Sequence, residues 1–598
     1  MRHLRPQAAE QVHSCLFDAA ARWLADDPDP LTRAALDDLV KRARAESDRN
    51  AADAPDPGPA MALLADCFAG PLEFGTAGLR ATMGPGPNRM NRAVVIRAAA
   101  GLTAYLKERT HRPTVVVGYD ARHGSTEFAL DTCAVVTAAG GSALLLPGAL
   151  PTPVLAFAIR RVGADAGVMV TASHNPPQDN GYKVYLGDGT QIVPPADSLI
   201  RAKILAINAT ADVGRAQDGW TVLGESLVEE YLAAVTGLLA PRGPRAVNLV
   251  HTALHGVGGA LITRAFRAAG FQAPVAVPEQ AEPDPDFPTV TFPNPEEPGA
   301  MDAALDLARR LDVAAADKAG DAGDHPPGLV DAVIVNDPDA DRCAAAVPDP
   351  AVAGPDDPRG WRMLRGDELG ALLAVHLLDR GVRDGGVLAR SIVSSRMLAA
   401  IASAAGLTSV ETLTGFKWIA RAPNLAYGYE EALGYCVAPD LVRDKDGISA
   451  ALMFAELLAG LKRDGRTVTQ VLDELYRRHG VHATDAFSVR VTDLSLIASV
   501  MSRLREHPPA GVGDVDVVSW DDLAAGSEAL PPTDALRYFL RDDTRVIVRP
   551  SGTEPKLKVY LEAIVPVSGG EQALAGAKAE AARRLAAARA GFAALTSP

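Results

Sequence analysis

The chain has little cysteine and no pattern in it. Cys15, Cys67, Cys133, Cys343 and Cys436 are scattered over 598 residues with no CxxC and no ligand spacing. That argues against a disulfide framework or a cysteine metal site and fits free thiols in a reducing cytoplasm. Positive charge is also short: 59 Lys and Arg face 74 Asp and Glu, a formal net charge of -15. This argues against general nucleic-acid or membrane-surface binding but leaves room for a local basic pocket that takes an anion. No apolar run suits a membrane span, because the most apolar stretch, SALLLPGALPTPVLAFAI from Ser142, is broken by prolines. The opening MRHLRPQAAEQVHS lacks the apolar core of a signal peptide. No short repeat is evident.

What is present is a soluble globular composition, 48% apolar and 22% charged, in a chain too long for one core. Residues 1–70 read as helical, with a Pro-rich acidic break, DAPDPGPA, at Asp53–Ala60. VVIRAAAGLTAYLKE (Val94–Glu108) has helical spacing, while TVVVGYDAR (Thr114–Arg122), SALLLPG (Ser142–Gly148) and GVMV (Gly167–Val170) read as strands. The strand-then-helix pattern restarts at AVNLVHTALHGVGG (Ala246–Gly259) and again at GDELGALLAVHLLDRG (Gly366–Gly381). Strands alternating with helices predict α/β domains with a parallel sheet. From about residue 480, strands and a closing Ala/Arg-rich helix predict a smaller α+β domain. AAADKAGDAGDHPPG (Ala314–Gly328) reads as a mobile insertion and VPDPAVAGPDDPRG (Val347–Gly360) as a long turn.

The sharpest chemical signal is VIVNDPDADR, Val333–Arg342. An apolar strand runs into Asp337, Asp339 and Asp341, alternate residues that face one way in an extended chain. Such a set suits a hard cation such as Mg²⁺; the competing reading is a solvated acidic turn. RPSGTEPKLKVY (Arg549–Tyr560) offers Arg549, Ser551, Gly552, Thr553 and Lys556 to a phosphate dianion, or is only a tight turn. FGTAGLRATMGPGPNRMN (Phe74–Asn91) carries Arg80 and Arg89, and GYDARHGS (Gly118–Ser125) places Asp120, Arg122 and His123 after a strand. In VTASHNPPQDNGYKVY (Val170–Tyr185), Ser173 ends a strand outside any G-x-S-x-G elbow. Neighbouring side chains diverge as a rule, which disfavours a simple Ser173–His174 pair. Facing a metal, Ser173 could instead carry a phosphoryl group.

TASHNP, DPDADR, FGTAGLR, GYDAR, GYEEALGY and RPSGTEPK together resemble the α-D-phosphohexomutase family, the phosphoglucomutases and phosphomannomutases. The likeness is strongest to the branch with phosphopentomutases and glucose 1,6-bisphosphate synthases, and it covers roughly residues 70–565. It implies four domains around a central cleft: three similar α/β domains with mixed sheets and a C-terminal α+β domain. The divisions expected are a helical extension (1–70) packed on domain I, the phosphoserine domain (71–240), the metal-loop domain (241–355), the sugar-loop domain (356–478) and the phosphate-loop domain (479–598). The resemblance implies phosphoserine at Ser173, and Mg²⁺ on Asp337, Asp339, Asp341 and the seryl phosphate. It ties Arg80, His174, Lys183 and Lys445 to phosphoryl or proton transfer, with Lys183 or Lys445 as the general base. It gives Arg342, Gly415, Phe416 and Lys417 of TLTGFKW, and Glu430 and Glu431 of GYEEALGY, to the sugar, and the RPSGTEPK loop to the phosphate not being transferred. At the E-x-S positions of many relatives stand Glu430, Glu431 and Ala432, so one hydroxyl is missing from the sugar loop.

The implied reaction is that of an isomerase, an intramolecular phosphotransferase interconverting sugar 1-phosphate and 6-phosphate through a sugar 1,6-bisphosphate. Glucose 1-phosphate is the favoured substrate, with mannose and pentose phosphates as contenders. The same phosphoserine would serve a phosphatase or bisphosphate synthase, distinguished by release of inorganic phosphate or free bisphosphate. A non-catalytic sugar-phosphate sensor would need neither Ser173 nor the aspartates. A small phosphosugar is the expected partner, nucleic acid and membrane are not, and the chain is expected as a cytoplasmic monomer or homodimer.

Overall fold

The computed structural model describes residues 4–50, 58–75, 78–319, 328–355, 357–491, 493–527, 530–551 and 556–597. Three helices, Leu4–Asp26, Pro30–Asn50 and Pro59–Cys67, precede four sheets. The first sheet contains β1 (Leu79–Thr82), β2 (Thr114–Tyr119), β3 (Ser142–Ala149), β4 (Ala166–Val170), β5 (Asp179–Leu186) and β6 (Thr221–Val222), in the order β1-β5-β4-β2-β3-β6. The second contains β7 (Leu249–Thr252), β8 (Val275–Ala276), β9 (Ala332–Val335), β10 (Ala344–Pro348) and β11 (Trp361–Met363), in the order β11-β10-β9-β7-β8. The third contains β12 (Val387–Ser391), β13 (Thr408–Thr412), β14 (Leu425–Glu430) and β15 (Gly434–Cys436), in the order β13-β12-β14-β15. The last is antiparallel: β16 (Val481–Arg490), β17 (Gly511–Val512), β18 (Val515–Asp522), β19 (Leu536–Leu540), β20 (Thr544–Pro550) and β21 (Lys556–Val565), in the order β16-β21-β20-β19-β18-β17. Helices Leu494–Glu506 and Glu571–Leu595 share its core.

The parallel pattern read from the sequence holds from the centre to one edge of each α/β sheet and gives way to antiparallel strands on the other side. β4, β9 and β14 are each parallel to an inner neighbour but followed by an antiparallel strand, β5, β10 and β15. The reason is connection length: these loops turn straight back, and a parallel return needs a crossover of a dozen residues or more. One plan therefore recurs as β5-β4-β2-β3, β10-β9-β7-β8 and β15-β14-β12-β13. The loop leaving the second strand of each set is residues 171–178, 336–343 or 431–433, and each carries one of the chemical motifs.

The three α/β units share one core. Phe157 and Tyr231, edge to face at 5.6 Å, join Leu261, Phe266 and Leu372 in the same buried cluster as the helix Gly447–Arg463, where Phe454 is fully buried. Asp446 caps that helix by accepting from the N–H groups of Ile448 and Ser449. The fourth domain has its own core around Tyr538, Val548, Leu557 and Phe592. The N-terminal helices pack Trp23, Leu36 and Leu64 with Ala93 of the helix Arg92–Lys107, and Arg97 pairs with Asp26 at 2.5 Å. Among the described residues, no helix is long and apolar enough to cross a membrane.

One correction concerns the expected insertion at Ala314–Gly328. Its first part, through Ala319, continues the helix Asp302–Ala319, as its alanine content favours. Residues 320–327 lie outside the described residues, as do 53–57 of the Pro-rich break.

The metal-motif loop is seated against a glycine. A Cβ on Gly256 would lie 2.2 Å from the Cα and 2.4 Å from the carbonyl oxygen of Pro338, and Val257 N–H donates to that oxygen at 2.8 Å. Gly256→Ala should therefore displace the loop, cost about 1–3 kcal/mol and lower the denaturant midpoint. A wild-type midpoint would show that the loop has room to move.

Candidate active site

Ser173 follows the fully buried strand β4 and has φ +53°, the left-handed region that non-glycine residues seldom occupy. Arg122 holds this geometry. Its Nη1 donates to the carbonyls of Pro176 (2.8 Å) and Asp179 (3.2 Å), and its Nη2 to those of Ser173 and Asn175 (2.6 Å each). Asp120 lies 3.4 Å from Arg122 Nε, and the guanidinium carbon stacks 4.8 Å from the ring centre of Phe287 in the second domain. Arg80 adds a hydrogen bond to Asn175 Oδ1 at 3.1 Å.

The unusual backbone also changes what Ser173 meets. Its Oγ lies 3.2 Å from Nδ1 of His174 and donates to Asp337 Oδ2 at 2.7 Å. The expected divergence of the Ser173 and His174 side chains is thus corrected by the left-handed turn. Burial, with Arg342, Arg80 and Lys183 nearby, holds the His174 pKa well below its ordinary value.

Asp337, Asp339 and Asp341 are buried, with ligand oxygens within 4.8 Å of one another. Lys183 Nζ donates to Asp339 Oδ2 (2.6 Å) and Asp341 Oδ2 (2.9 Å), and Lys445 Nζ is 3.4 Å from Asp341 Oδ2. Thr152, at the start of the helix Thr152–Val162, donates its hydroxyl to Asp339 Oδ2 at 2.5 Å. Arg342 N–H donates to Asp337 Oδ1 at 3.0 Å. Burial and then the charges of Asp341 and Asp339 push Asp337 up to about 8. Burial works against charge on Lys183, but Asp339 and Asp341 outweigh it and raise its pKa; Lys445 is raised against burial by Asp341 and Asp444. The two lysines expected to supply a base thus sit in ion pairs with the aspartates.

The set fits Mg²⁺ on its own evidence. Among the described residues, Asp339 Oδ1 and Asp341 Oδ1 are buried with no hydrogen-bond partner. Buried carboxylate oxygens rarely stay unpaired, and hard oxygen donors converging with Asp337 are what Mg²⁺ takes.

The remaining motifs surround this centre. Glu430 is buried beside Lys445, Arg342 and Asp341, and burial raises its pKa. Glu431 Oε2 accepts from Ser391 and Ser394, at 2.9 Å each. Gly415 precedes the short helix Phe416–Ile419, and the ring of Phe416 lies 5.5 Å from Lys445 Nζ. Burial, partly offset by Asp197 and aided by Arg549 and Arg421, brings Lys417 down to about 8, so the third and fourth domains face each other here. Arg549, the penultimate residue of β20, pairs with Lys558, and Ser551 N–H donates to Lys556 O at 2.8 Å. Gly552 and Thr553 lie outside the described residues. Arg89 is paired with Asp66 of the helix Pro59–Cys67, and His123 with Asp286 at 2.8 Å. Thr152, Ser391 and Ser394 had no sequence signal, since isolated hydroxyl residues reach these partners only through the fold. Arg122 stood inside a recognised motif, but its four carbonyl contacts depend on the folded loop.

Comparison with known proteins gives the family. Four domain families match in order: phosphoglucomutase/phosphomannomutase alpha/beta/alpha domain I over residues 71–211, domain II over 229–350, domain III over 365–479 and the C-terminal domain over 487–568. A probable phosphomannomutase of Haemophilus influenzae is 44% identical over 79% of this chain and 93% of its own length. A human phosphopentomutase is 34% identical over 92% of each chain, and a phosphoglucomutase of Staphylococcus haemolyticus is 32% identical over 82% of this chain and 90% of its own. The crystal structure of a putative phosphomannomutase from Thermus thermophilus superposes with a TM-score of 0.63 over 86% of this chain and 99% of that one, at 23% identity, which speaks to the fold. The chain is a member of the phosphoglucomutase/phosphomannomutase family, the α-D-phosphohexomutases, a family of phosphosugar mutases.

Proposed function

We propose that this enzyme moves a phosphoryl group between the C1 oxygen and the terminal hydroxyl of an aldose phosphate, with Ser173 as carrier. The observation that carries the proposal is the buried Ser173 Oγ, 2.7 Å from Asp337 in a carboxylate set that fits Mg²⁺. In this reading, phosphoserine 173 gives its phosphoryl group to the free hydroxyl of a sugar monophosphate. The bond from phosphorus to the serine oxygen breaks and the bond to the sugar oxygen forms, while a base in the site takes the hydroxyl proton and the departing serine oxygen takes one up, so the exchange is proton-neutral. The resulting sugar 1,6-bisphosphate turns over in the cleft and returns its other phosphoryl group to Ser173.

Asp337, Asp339 and Asp341 would hold Mg²⁺, which when bound supplies neutralisation of phosphoryl charge. Arg80, Lys183, Lys445 and Arg342 add fixed positive charge, and positioning provides much of the remaining rate. The Arg549–Lys556 loop is assigned to the phosphate not being transferred, and Lys417, expected from the sequence to meet the sugar, is assigned here to that phosphate as well because Arg549 is among the charges acting on it. With a methyl group at Ala432, the sugar loop lacks one hydroxyl, a contact worth about 0.5–1.5 kcal/mol. Glucose 1-phosphate is the proposed hexose substrate, with mannose and pentose 1-phosphates turned over in the same cleft. A coupled assay of the three 1-phosphates on one preparation tests this.

Ser173→Ala should lose at least about 10³-fold in kcat, the scale of a lost covalent route, and peptide mass spectrometry of the native enzyme should find phosphate on Ser173. Near-normal turnover in that variant would end the assignment. Arg122→Lys keeps a charge opposite Asp120 but cannot span four carbonyls. It should lower kcat by about tenfold or more with little change in KM; wild-type kcat would show that the loop holds itself. For pH, Lys417 is charged below its pKa of about 8. Phosphosugar kcat/KM should therefore fall as pH rises through about 8, and Lys417→Arg, which stays charged, should move the fall to higher pH. An unmoved profile would remove Lys417 from phosphate binding.

A further inference from the structure

The turn between β12 and the helix Met397–Ala404 touches two distant parts of the site at once. On one side, Ser391 and Ser394 both donate to Glu431 Oε2 at 2.9 Å, their hydroxyls are 2.8 Å apart, and Glu431 N–H donates to Ser394 Oγ at 3.0 Å. The loop has little freedom elsewhere: a Cβ on Gly366 would lie 1.8 Å from the Glu431 carbonyl oxygen, and Leu433 has φ +64°. On the other side, Arg545 of β20 donates to the carbonyls of Ile392 and Ser394 at 2.8 Å each. Arg545 Nη2 lies 3.1 Å from Glu562 of β21, and that carboxylate also accepts from Ser395 Oγ (2.8 Å), Arg396 N–H (2.7 Å) and Arg396 Nε (2.8 Å). Arg545 and Glu562 are almost fully buried. Their strands, β20 and β21, are the two that carry the Arg549–Lys556 loop.

We propose that the turn Ser391–Arg396 is a positioning element for sugar choice: through Ser391 and Ser394 it sets the loop holding Glu430 and Glu431, and through Arg545 and Glu562 it ties that loop to the domain that holds the phosphate. This rests on the roles given to those two loops above. None of these four side chains need touch the sugar. With Ala432 unable to contribute a hydroxyl, the shape of the sugar site depends on how Glu431 is held. A half-buried carboxylate that loses one of its two hydroxyl donors is free to shift toward other partners. Arg545 meets the same turn through its backbone, so displacement of domain IV is transmitted to Glu431.

The test is binding on the full chain, read by calorimetry as the ratio of dissociation constants for glucose 6-phosphate and ribose 5-phosphate. Ser394→Ala and Ser391→Ala should each shift that ratio by about threefold to tenfold, the scale of one hydrogen bond. Arg545→Lys retains charge opposite Glu562 but loses reach to the two carbonyls. It should shift the ratio in the same direction, and its effect should be less than additive with Ser394→Ala. An unchanged ratio in the folded serine variants overturns the inference, as do strictly additive effects with Arg545→Lys or failure of the native chain to bind either sugar. A merely structural role would lower the melting temperature and leave the ratio alone. A shifted ratio in a protein that turns over neither sugar supports this inference while defeating the mutase reading.

Discussion

Three carboxylates withdrawn from water within 4.8 Å of one another are the constraint on which the rest depends. Like charges so placed repel, and burial adds a desolvation cost, so positive charge must be fixed close by. The compensation comes from different parts of the chain. Lys183 reaches over from the first sheet, Lys445 from the segment before the central helix, and Arg342 from the aspartate loop itself. Charge balance at the centre and assembly of the α/β domains are therefore one problem. A domain displaced from the shared core would also strip a cation from the aspartates.

The seryl loop meets a different difficulty, a backbone conformation with an intrinsic cost. Arg122 offsets it with four carbonyl contacts, and its own buried charge is answered by Asp120 and the face of Phe287. Since Phe287 belongs to the second domain, the serine is positioned by the interface as much as by its own sheet. The fourth domain has a separate core and joins the third through the ionic contacts of Arg545, Arg396 and Glu562 and through a buried cluster of Ile392, Val393 and Leu413 with Ile547 and Tyr560.

The parts of the fold legible in the sequence were those with strong local signals. Ala166–Val170 is apolar and buried throughout, and Ala332–Val335 runs straight into alternating aspartates, so both strand and cluster could be read. The similarity of six motifs located the loops around them. Strand direction was hidden, because nothing in the composition of β4 or β5 marks it and only the short connection makes them antiparallel. The common core was hidden as well, since the helix carrying Phe454 packs on helices from three units whose periodicities are independent. Contact between Ser173 and His174 follows from one φ angle, and the grip of Ser391 and Ser394 on Glu431 from a long-range fold. Alanine-rich 314–319 was misread because small residues suit both an open loop and a helix.

The recurrence of one strand plan has a consequence for how the protein can change. Each α/β unit places its chemical loop in the same hairpin, between a central parallel strand and its antiparallel neighbour. The frame bears the structural load and the hairpin tip bears the chemistry, so a tip can be exchanged without redrawing the frame. Residues 431–433 are the shortest of the three tips and are held by the neighbouring turn through Ser391 and Ser394. The seryl and aspartate tips are bound by reciprocal contact across two units, and neither can drift without the other.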